Sequence, residues 1–203
     1  PKGMNGAKFR ARYGVVGLSI VLKDFVVEGL NEAGLSAGLF YFPHYGNYPV
    51  YDAKQNTRTV ADLQLVAWML SQFSTIEEIK AAMQDIRVVS VDTTGASSTV
   101  HWRIGDANGR QVVLEFVDGV PCFYENEIGV LTNSPGFPWQ MTNLNNYVNL
   151  YPGGAEAHQL GGVTVFPFGA GSGFQGIPGD VTPPSRFVRA AFYKATAPQC
   201  ATA

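Results

Sequence analysis

The stretch VLTNSPGFPWQMTNLNNY, residues 130–147, places several carboxamide side chains among large apolar ones. A plain apolar core would not accept these amides, because each unpaired buried polar group costs about 1–3 kcal/mol. An amide is also a neutral hydrogen-bond donor, which can stabilise negative charge on oxygen in a dry site. Asn133 is the candidate for this chemistry, although taken alone it better suits a cap of the NSPG turn. The later asparagines are interpreted as turn and helix-start residues: Asn143, Asn145 and Asn146.

Other reactive residue types are few and widely spaced. Two cysteines, Cys122 and Cys200, are too few for a disulfide framework or a cysteine-rich zinc site. His101 alternates with apolar residues in a predicted strand, which indicates a structural role. The glycine-rich run GAGSGFQG lacks the strand-then-helix context of a dinucleotide loop. The histidines lack the close spacing of a helical metal motif: they are His44, His101 and His158. The sequence therefore predicts neither a metal nor an organic cofactor.

The bulk composition is that of an ordinary globular protein. The chain has 203 residues, of which 46% are hydrophobic and 15% are charged, which predicts a single domain over residues 1–203. The formal net charge of −2 gives no electrostatic basis for a nucleic-acid partner. No apolar run reaches the ~20 residues of a membrane span. The start, PKGMNGAKFR, is unlike a signal peptide and lacks an initiator Met, so the cellular compartment stays open.

The hydrophobic pattern predicts strands followed by helices in the first half of the chain. Apolar runs at 13–20 and 35–42 are typical of buried strands. Thr59 is predicted to cap a first helix. Ser74 with Glu77 forms a predicted capping box for a second helix.

The second half of the chain predicts strands followed by one helix. The DANG turn, Asp106–Gly109, predicts a β-hairpin. Short strands are predicted at 122–126 and 129–133, and Ser185 is predicted to cap the last helix. This order of elements favours an α+β fold, with helices layered on antiparallel sheets, over a doubly wound parallel sheet.

Three segments in order resemble one protein family. They are VEGLNEAGLSAGLFYFPHYGNY (27–48), GVLTNSPGFPWQMTNLNNY (129–147) and GSGFQGIPGDVTPPSRFVRAAFY (171–193). With the STVHWRIGDANGRQVVLEF hairpin, they resemble the choloylglycine hydrolase family, which includes conjugated bile salt hydrolases and penicillin V acylases. The resemblance covers essentially the whole chain. It implies an N-terminal-nucleophile hydrolase with a four-layer αββα sandwich, incomplete here at both ends.

In such enzymes the thiolate of an N-terminal Cys attacks an amide carbonyl. The α-amine of that Cys serves as base, since an α-amino group ordinarily has a pKa of about 7.7–8.0, which is close to the working pH. Position 1 is Pro here, so the resemblance implies that the nucleophile precedes this central portion, which is expected to be inactive alone. Cys122 lies in a predicted strand without a neighbouring base and is interpreted as a packing residue. Cys200 lies in a Pro/Ala-rich tail with no supporting context.

The resemblance implies catalytic roles for three residues. Asn133 matches the Asn of the family's TN[NS]P motif, whose amide donates to the oxyanion. Tyr41 stands where bile salt hydrolases usually carry Asn and penicillin V acylases carry Tyr. Its backbone N–H would complete the oxyanion hole and its ring would line the pocket, or it is a strand Tyr with a buried ring. Arg186 matches the family's active-site Arg, which favours the thiolate, or it is a solvent-exposed Arg at a helix start.

The resemblance also bears on substrate and assembly. It implies a small-molecule amide with a bulky apolar acyl group, in the first place a conjugated bile salt. Penicillin V is the nearest alternative, and a noncatalytic remnant that binds an apolar ligand is a second. The Gly/Pro-rich section 152–184 resembles a loop by which some members assemble, which implies a homo-oligomer, a tetramer. Candidates for the acyl pocket, or simply for the core, are Phe40, Tyr41, Phe137, Trp139 and Met141.

Overall fold

The structure, a computed structural model, describes residues 6–91 and 99–198. Pro1 and Cys200, considered above, lie outside the described residues. The strands are β1 (Val15–Ser19), β2 (Val26–Asn31), β3 (Ser36–Tyr41), β4 (Thr59–Ala61), β5 (Arg87–Val89), β6 (Val100–Gly105), β7 (Gln111–Val117), β8 (Val120–Glu125), β9 (His158–Leu160) and β10 (Val163–Val165). The α-helices are α1 (Leu65–Gln72), α2 (Ile76–Ala82), α3 (Phe137–Asn143) and α4 (Pro183–Thr196).

Six strands form one antiparallel sheet in the order β1-β2-β3-β6-β7-β8. A short parallel pair joins β4 to β5, and β9 pairs with β10 as an antiparallel hairpin. Helices and antiparallel strands therefore occupy separate stretches of the chain, which confirms the predicted α+β class. No helix among the described residues is both long and apolar enough to cross a lipid bilayer.

The chain divides into two compact units, Pro1–Phe137 and Pro138–Ala203. The first contains the six-stranded sheet with α1 and α2, and the second contains the β9–β10 hairpin and α4. They are described separately below. The single domain over residues 1–203 stays a prediction.

The core of the first unit lies between one face of the sheet and the first two helices. Side chains alternate between the two faces of a strand, so Trp102, Ile104 and Leu114 share the face that packs on α1. All three are fully buried. The predicted DANG hairpin is confirmed, and Gly109 closes it with φ 82°, a left-handed conformation that glycine adopts without strain.

The predicted starts of the first two helices are wrong by five residues and by one residue, respectively. Thr59 was predicted from its local sequence to be a helix cap, but it lies in β4. Pairing of β4 with β5, which is distant in sequence, keeps Thr59 in an extended conformation. A short 3₁₀ turn then precedes α1 at Leu65. The capping box of α2 uses Thr75 with Glu78 in place of Ser74 with Glu77.

The predicted start of the last helix is also wrong, by three residues, since its cap is Thr182 and not Ser185. Helix α4 begins at Pro183, after Thr182, because proline suits the first helical turn, where its missing N–H costs nothing. Ser185 is buried within that turn, and its hydroxyl donates to Asp180 Oδ2 at 2.7 Å.

Two strand predictions also differ from the structure. Residues 129–133 are not a strand, because the Asn126 side chain turns the chain there. The run at 13–20 does form β1, but all five residues of that strand are exposed in this structure. The apolar character of the run therefore predicted that a strand forms here, but it did not predict that the strand is exposed.

Asp62 is a buried carboxylate whose removal should change stability with pH. It is 2% exposed, and its Oδ1 accepts the main-chain N–H groups of Leu63 and Val91 at 2.8 and 2.9 Å. Burial raises the pKa of Asp62, so its stabilising contribution is complete below the ordinary Asp pKa and is lost as pH rises through the raised value. Asp62→Asn keeps an acceptor for both N–H groups without the charge. The variant should therefore gain stability over the natural protein as pH rises from about 4 to 8.

Urea unfolding of both proteins across that pH range measures this gap. Asp85→Asn, at an exposed position, is the matched control and should show a gap near zero. A gap for Asp62→Asn that is constant with pH, or that favours the natural protein in alkali, would contradict the expectation.

Candidate active site

The segment that carries Asn133 lies between β8 and α3, and one buried side chain shapes its start. Asn126 is 2% exposed, and its Oδ1 accepts the N–H groups of Gly129 and Val130. Its Nδ2 donates to the Val130 carbonyl at 3.2 Å. The N–H groups of Gly129 and Val130 and the Val130 carbonyl thus bond to one side-chain amide, which fixes the turn after β8.

Asn133 and Tyr41, 92 positions apart in sequence, meet at the end of β3. Asn133 Nδ2 donates to the Tyr41 main-chain carbonyl at 2.8 Å. Next to it, Ser134 Oγ donates to the Pro43 carbonyl at 2.8 Å. The two predicted residues are therefore neighbours, through the Tyr41 carbonyl oxygen. Their catalytic roles stay predictions.

The Tyr41 side chain is accessible at this place. It is 56% exposed, so the alternative of a strand Tyr with a buried ring is wrong. A phenol ring at the rim of a site can contact a ligand with its apolar face and hydrogen-bond with its hydroxyl.

A buried polar pair lies below the segment, and the sequence did not assign it to the site. His101 Nδ1 lies 3.0 Å from Glu115 Oε1, and His101 Nε2 lies 3.0 Å from the Thr132 carbonyl oxygen. Glu115 Oε1 also accepts the Phe137 N–H at 2.8 Å. The interpretation of His101 as a structural side chain fits this burial, but Glu115 was missed. The sequence feature that could have identified Glu115 is the presence of an acidic residue inside the apolar run QVVLEFV.

The two aromatic candidates of this unit lie around that pair. Phe137 is 3% exposed, and its ring packs against Tyr124 with centroids 6.2 Å apart. Phe40 is half-buried, and its ring is nearly perpendicular to that of His101, with the ring centroids 6.2 Å apart. Their placement fits the alternative in which they belong to the core more closely than it fits a pocket wall.

The second unit holds the remaining candidates. Arg186 is half-buried in the first turn of α4, and its Nε donates to the Val181 carbonyl at 3.0 Å. Trp139 and Met141 are exposed on α3. Asp180 accepts hydrogen bonds from the Thr182 N–H and hydroxyl and from Ser185, and these bonds, led by the Thr182 hydroxyl, lower its pKa to about 2. Asp180 thus stabilises the start of the helix that carries Arg186.

Across residues 6–91 and 99–198, no cluster of His, Cys, Asp or Glu could hold a metal ion. Cys122, the one free cysteine that these ranges include, lies in β8 with its Sγ directed to the Val120 carbonyl at 3.7 Å. The donors assembled at the site are neutral amides and hydroxyls. Such groups can stabilise negative charge on an oxygen atom.

Comparisons with known proteins identify relatives of the whole chain. Bile salt hydrolase/transferase of Clostridium perfringens is 34% identical over 194 residues, which cover 94% of this chain and 59% of that protein. A crystal structure of a variant of conjugated bile acid hydrolase from the same organism superposes with a TM-score of 0.82, at 34% identity, over 92% of this chain and 58% of that one. Penicillin V acylase of Agrobacterium tumefaciens superposes with a TM-score of 0.73 at 26% identity, over 98% of this chain and 54% of that one.

The chain therefore spans a little under three fifths of the length of the curated relatives it matches. Its fold is the α+β sandwich of the N-terminal-nucleophile hydrolases, as the resemblance implied. The family described as linear amide C–N hydrolases, choloylglycine hydrolase family, matches residues 1–203. This chain belongs to the choloylglycine hydrolase family.

Proposed function

We propose that the protein containing this chain hydrolyses linear amides and that its preferred substrate is a conjugated bile salt. The observation that carries the proposal is the Asn133 carboxamide bonded to the main chain of Tyr41. It lies in a segment matching the family motif, in a chain 34% identical to a bile salt hydrolase/transferase. The proposed nucleophile is a Cys thiolate, as the family resemblance implies.

The proposed role of Asn133 is to stabilise the oxyanion. When sulfur bonds to the carbonyl carbon, the π-electron pair moves to oxygen, and an amide N–H donates to that oxygen. The bond to Tyr41 orients the carboxamide before the substrate arrives, so little reorganisation is needed. Collapse of the intermediate breaks the C–N bond, and the amine leaves with the proton that the α-amine took from the thiol. Water then hydrolyses the thioester to the free acid and restores the thiol.

Arg186 is proposed to favour the thiolate, on the family resemblance alone. The exposed ring of Tyr41 is proposed to contact the acyl group, because an apolar surface can hold an apolar ligand. Trp139 and Met141, exposed on α3, stay candidates for such contact on the family resemblance alone. Phe40 and Phe137, which are half-buried and buried, are proposed as core residues.

Tyr41 is the residue that separates a bile salt from penicillin V as substrate. Tyr41→Asn in the full-length protein removes an exposed ring and introduces an amide, while the main-chain carbonyl that holds Asn133 remains. The ratio of kcat/KM for glycine- and taurine-conjugated bile salts to kcat/KM for penicillin V should rise roughly tenfold. Parallel hydrolysis assays with the three substrates measure this ratio.

Tyr41→Phe is the matched control, because it keeps the ring and should leave the ratio close to that of the natural protein. Faster turnover of penicillin V than of bile salts by the natural protein would overturn the ranking of substrates. Turnover of neither class would contradict the amide hydrolase and favour a ligand-binding protein.

The protein is also proposed to form a homo-oligomer, a tetramer, through the section at 152–184. This section contains the β9–β10 hairpin, and several large apolar side chains are exposed along it: Leu160, Val163, Phe166 and Phe168. Light scattering on the full-length protein tests the assembly.

A further inference from the structure

Two buried titratable side chains lie under the Asn133 segment, and the proposed reaction assigns a role to neither. His101 and Glu115 face each other across β6 and β7 and are 0% and 2% exposed. Burial of such groups is costly unless they are hydrogen-bonded. The hydrogen-bond partners of the two side chains therefore indicate which part of the structure the buried pair stabilises.

The His101 ring is fixed on both edges and on one face. Nε2 lies 3.0 Å from the Thr132 carbonyl oxygen, which can only accept, so Nε2 carries a proton and donates it. Nδ1 lies 3.0 Å from Glu115 Oε1 on the opposite edge. The Phe42 ring stacks on the imidazole at 4.2 Å with 9° between the planes. These contacts leave the ring a single orientation.

The bond to Thr132 acts directly on Asn133. A peptide group is planar, so the Thr132 carbonyl and the Asn133 nitrogen lie in one plane. The hydrogen bond from His101 holds the Thr132 carbonyl oxygen in place and so fixes the orientation of this peptide plane. The orientation of the plane in turn sets the direction of the N–Cα bond of Asn133. Glu115 Oε1 accepts the Phe137 N–H at 2.8 Å and fixes the other end of the segment.

The strand end that holds Asn133 also holds His101. Three consecutive residues take part: the Tyr41 carbonyl accepts from Asn133, the Phe42 ring stacks on His101, and the Pro43 carbonyl accepts from Ser134. A shift of the imidazole would therefore move the carboxamide relative to the strand that orients it.

We propose that His101, held by Glu115 and Phe42, is a positioning residue that sets the placement of Asn133 through the Thr132 carbonyl. The proposal rests on the proposed function, in which Asn133 stabilises the oxyanion. Because this donor acts on charge that develops in the transition state, loss of His101 should lower kcat and leave KM nearly unchanged.

Two substitutions of His101 in the full-length protein separate positioning from general destabilisation. The amide nitrogen of Gln reaches the place of Nε2 and can donate to the Thr132 carbonyl, whereas that of Asn falls at the place of Nδ1 and cannot. His101→Asn should lower kcat on the order of 10- to 100-fold, with KM within about twofold, and His101→Gln should recover most of the loss. Val112→Ala, at a buried position on the opposite face of β7, should lower the thermal midpoint and leave kcat within about twofold.

Two measurements do not depend on activity. In the natural protein, nitrogen NMR should show a proton on His101 Nε2. Hydrogen exchange of the amides from Asn133 to Phe137 should accelerate in His101→Asn and not in Val112→Ala. If the natural protein hydrolyses no amide, the proposed function fails, and these two measurements still decide the positioning role. An unprotonated Nε2, unchanged exchange, or an active protein in which His101→Asn keeps its kcat would overturn the positioning role.

Discussion

Asn133→Ala is expected to lower kcat for conjugated bile salts about 100- to 1,000-fold, the loss typical of removing one donor to an oxyanion. The side chain ends 2.8 Å from the Tyr41 carbonyl, so its amide is already oriented when substrate binds. Because the donor acts on charge that is present only in the transition state, KM should stay within about threefold. Steady-state kinetics of the full-length protein measure both constants.

Asn145→Ala is the matched control, since Asn145 lies in the same asparagine-rich stretch and is exposed. Its kcat should be that of the natural protein. Asn133→Asp, which has nearly the same shape, should lose at least as much kcat as the Ala variant, because a carboxylate repels the oxyanion that the amide stabilises. A kcat within threefold of the natural value in both Asn133 variants, with the fold intact by circular dichroism, would remove Asn133 from the mechanism.

The fold class could be predicted from the sequence because turn and strand preferences depend on residues that are adjacent in the chain. The DANG turn specified its hairpin, and apolar runs specified the strands that flank it. Thr59 shows where this approach failed. Its sequence suits a cap, but pairing of β4 with β5, 28 positions away at Arg87, decides its conformation. Such pairing is a tertiary contact that no short window of sequence contains.

The site was predictable in part, through the family resemblance. Asn133 and Tyr41 are 92 positions apart, and neither composition nor periodicity brings them together. The matched motifs identified both residues, and the structure adds that the amide meets the carbonyl of Tyr41. The expected contribution of the Tyr41 N–H remains a prediction.

The sequence comes close to predicting that His101 and Glu115 face each other on neighbouring strands. A three-residue loop in the DANG hairpin places His101 opposite Glu115, whereas a two-residue loop places it opposite Leu114. The structure has Trp102 opposite Leu114, which is the three-residue case. A slip of one residue reverses which side chains share a face, so the pairing could not be fixed without the register.

The largest stability effect is expected at Asn31, at the end of β2, because this buried amide uses all of its hydrogen-bonding groups. Its Nδ2 donates to the carbonyls of Leu70 and Phe73 at 2.8 and 2.7 Å, at the end of α1, where helical carbonyls lack partners. Its Oδ1 accepts the N–H groups of Ala33 and Leu35 at 3.1 and 3.0 Å. One side chain 3% exposed thus joins the turn after β2 to the helix that covers the sheet.

Asn31→Asp should lower the free energy of unfolding by at least about 3 kcal/mol at pH 7. The substitution preserves shape but replaces both N–H donors with a carboxylate oxygen that faces two carbonyl oxygens. Urea unfolding of the full-length protein measures the loss, with Asn47→Asp, an exposed position of the same unit, as the control expected within about 0.5 kcal/mol of the natural value. The deficit should shrink in acid, because a protonated carboxyl can again donate to one carbonyl. Equal losses in the two variants would mean that the Asn31 amide does not hold helix and turn together.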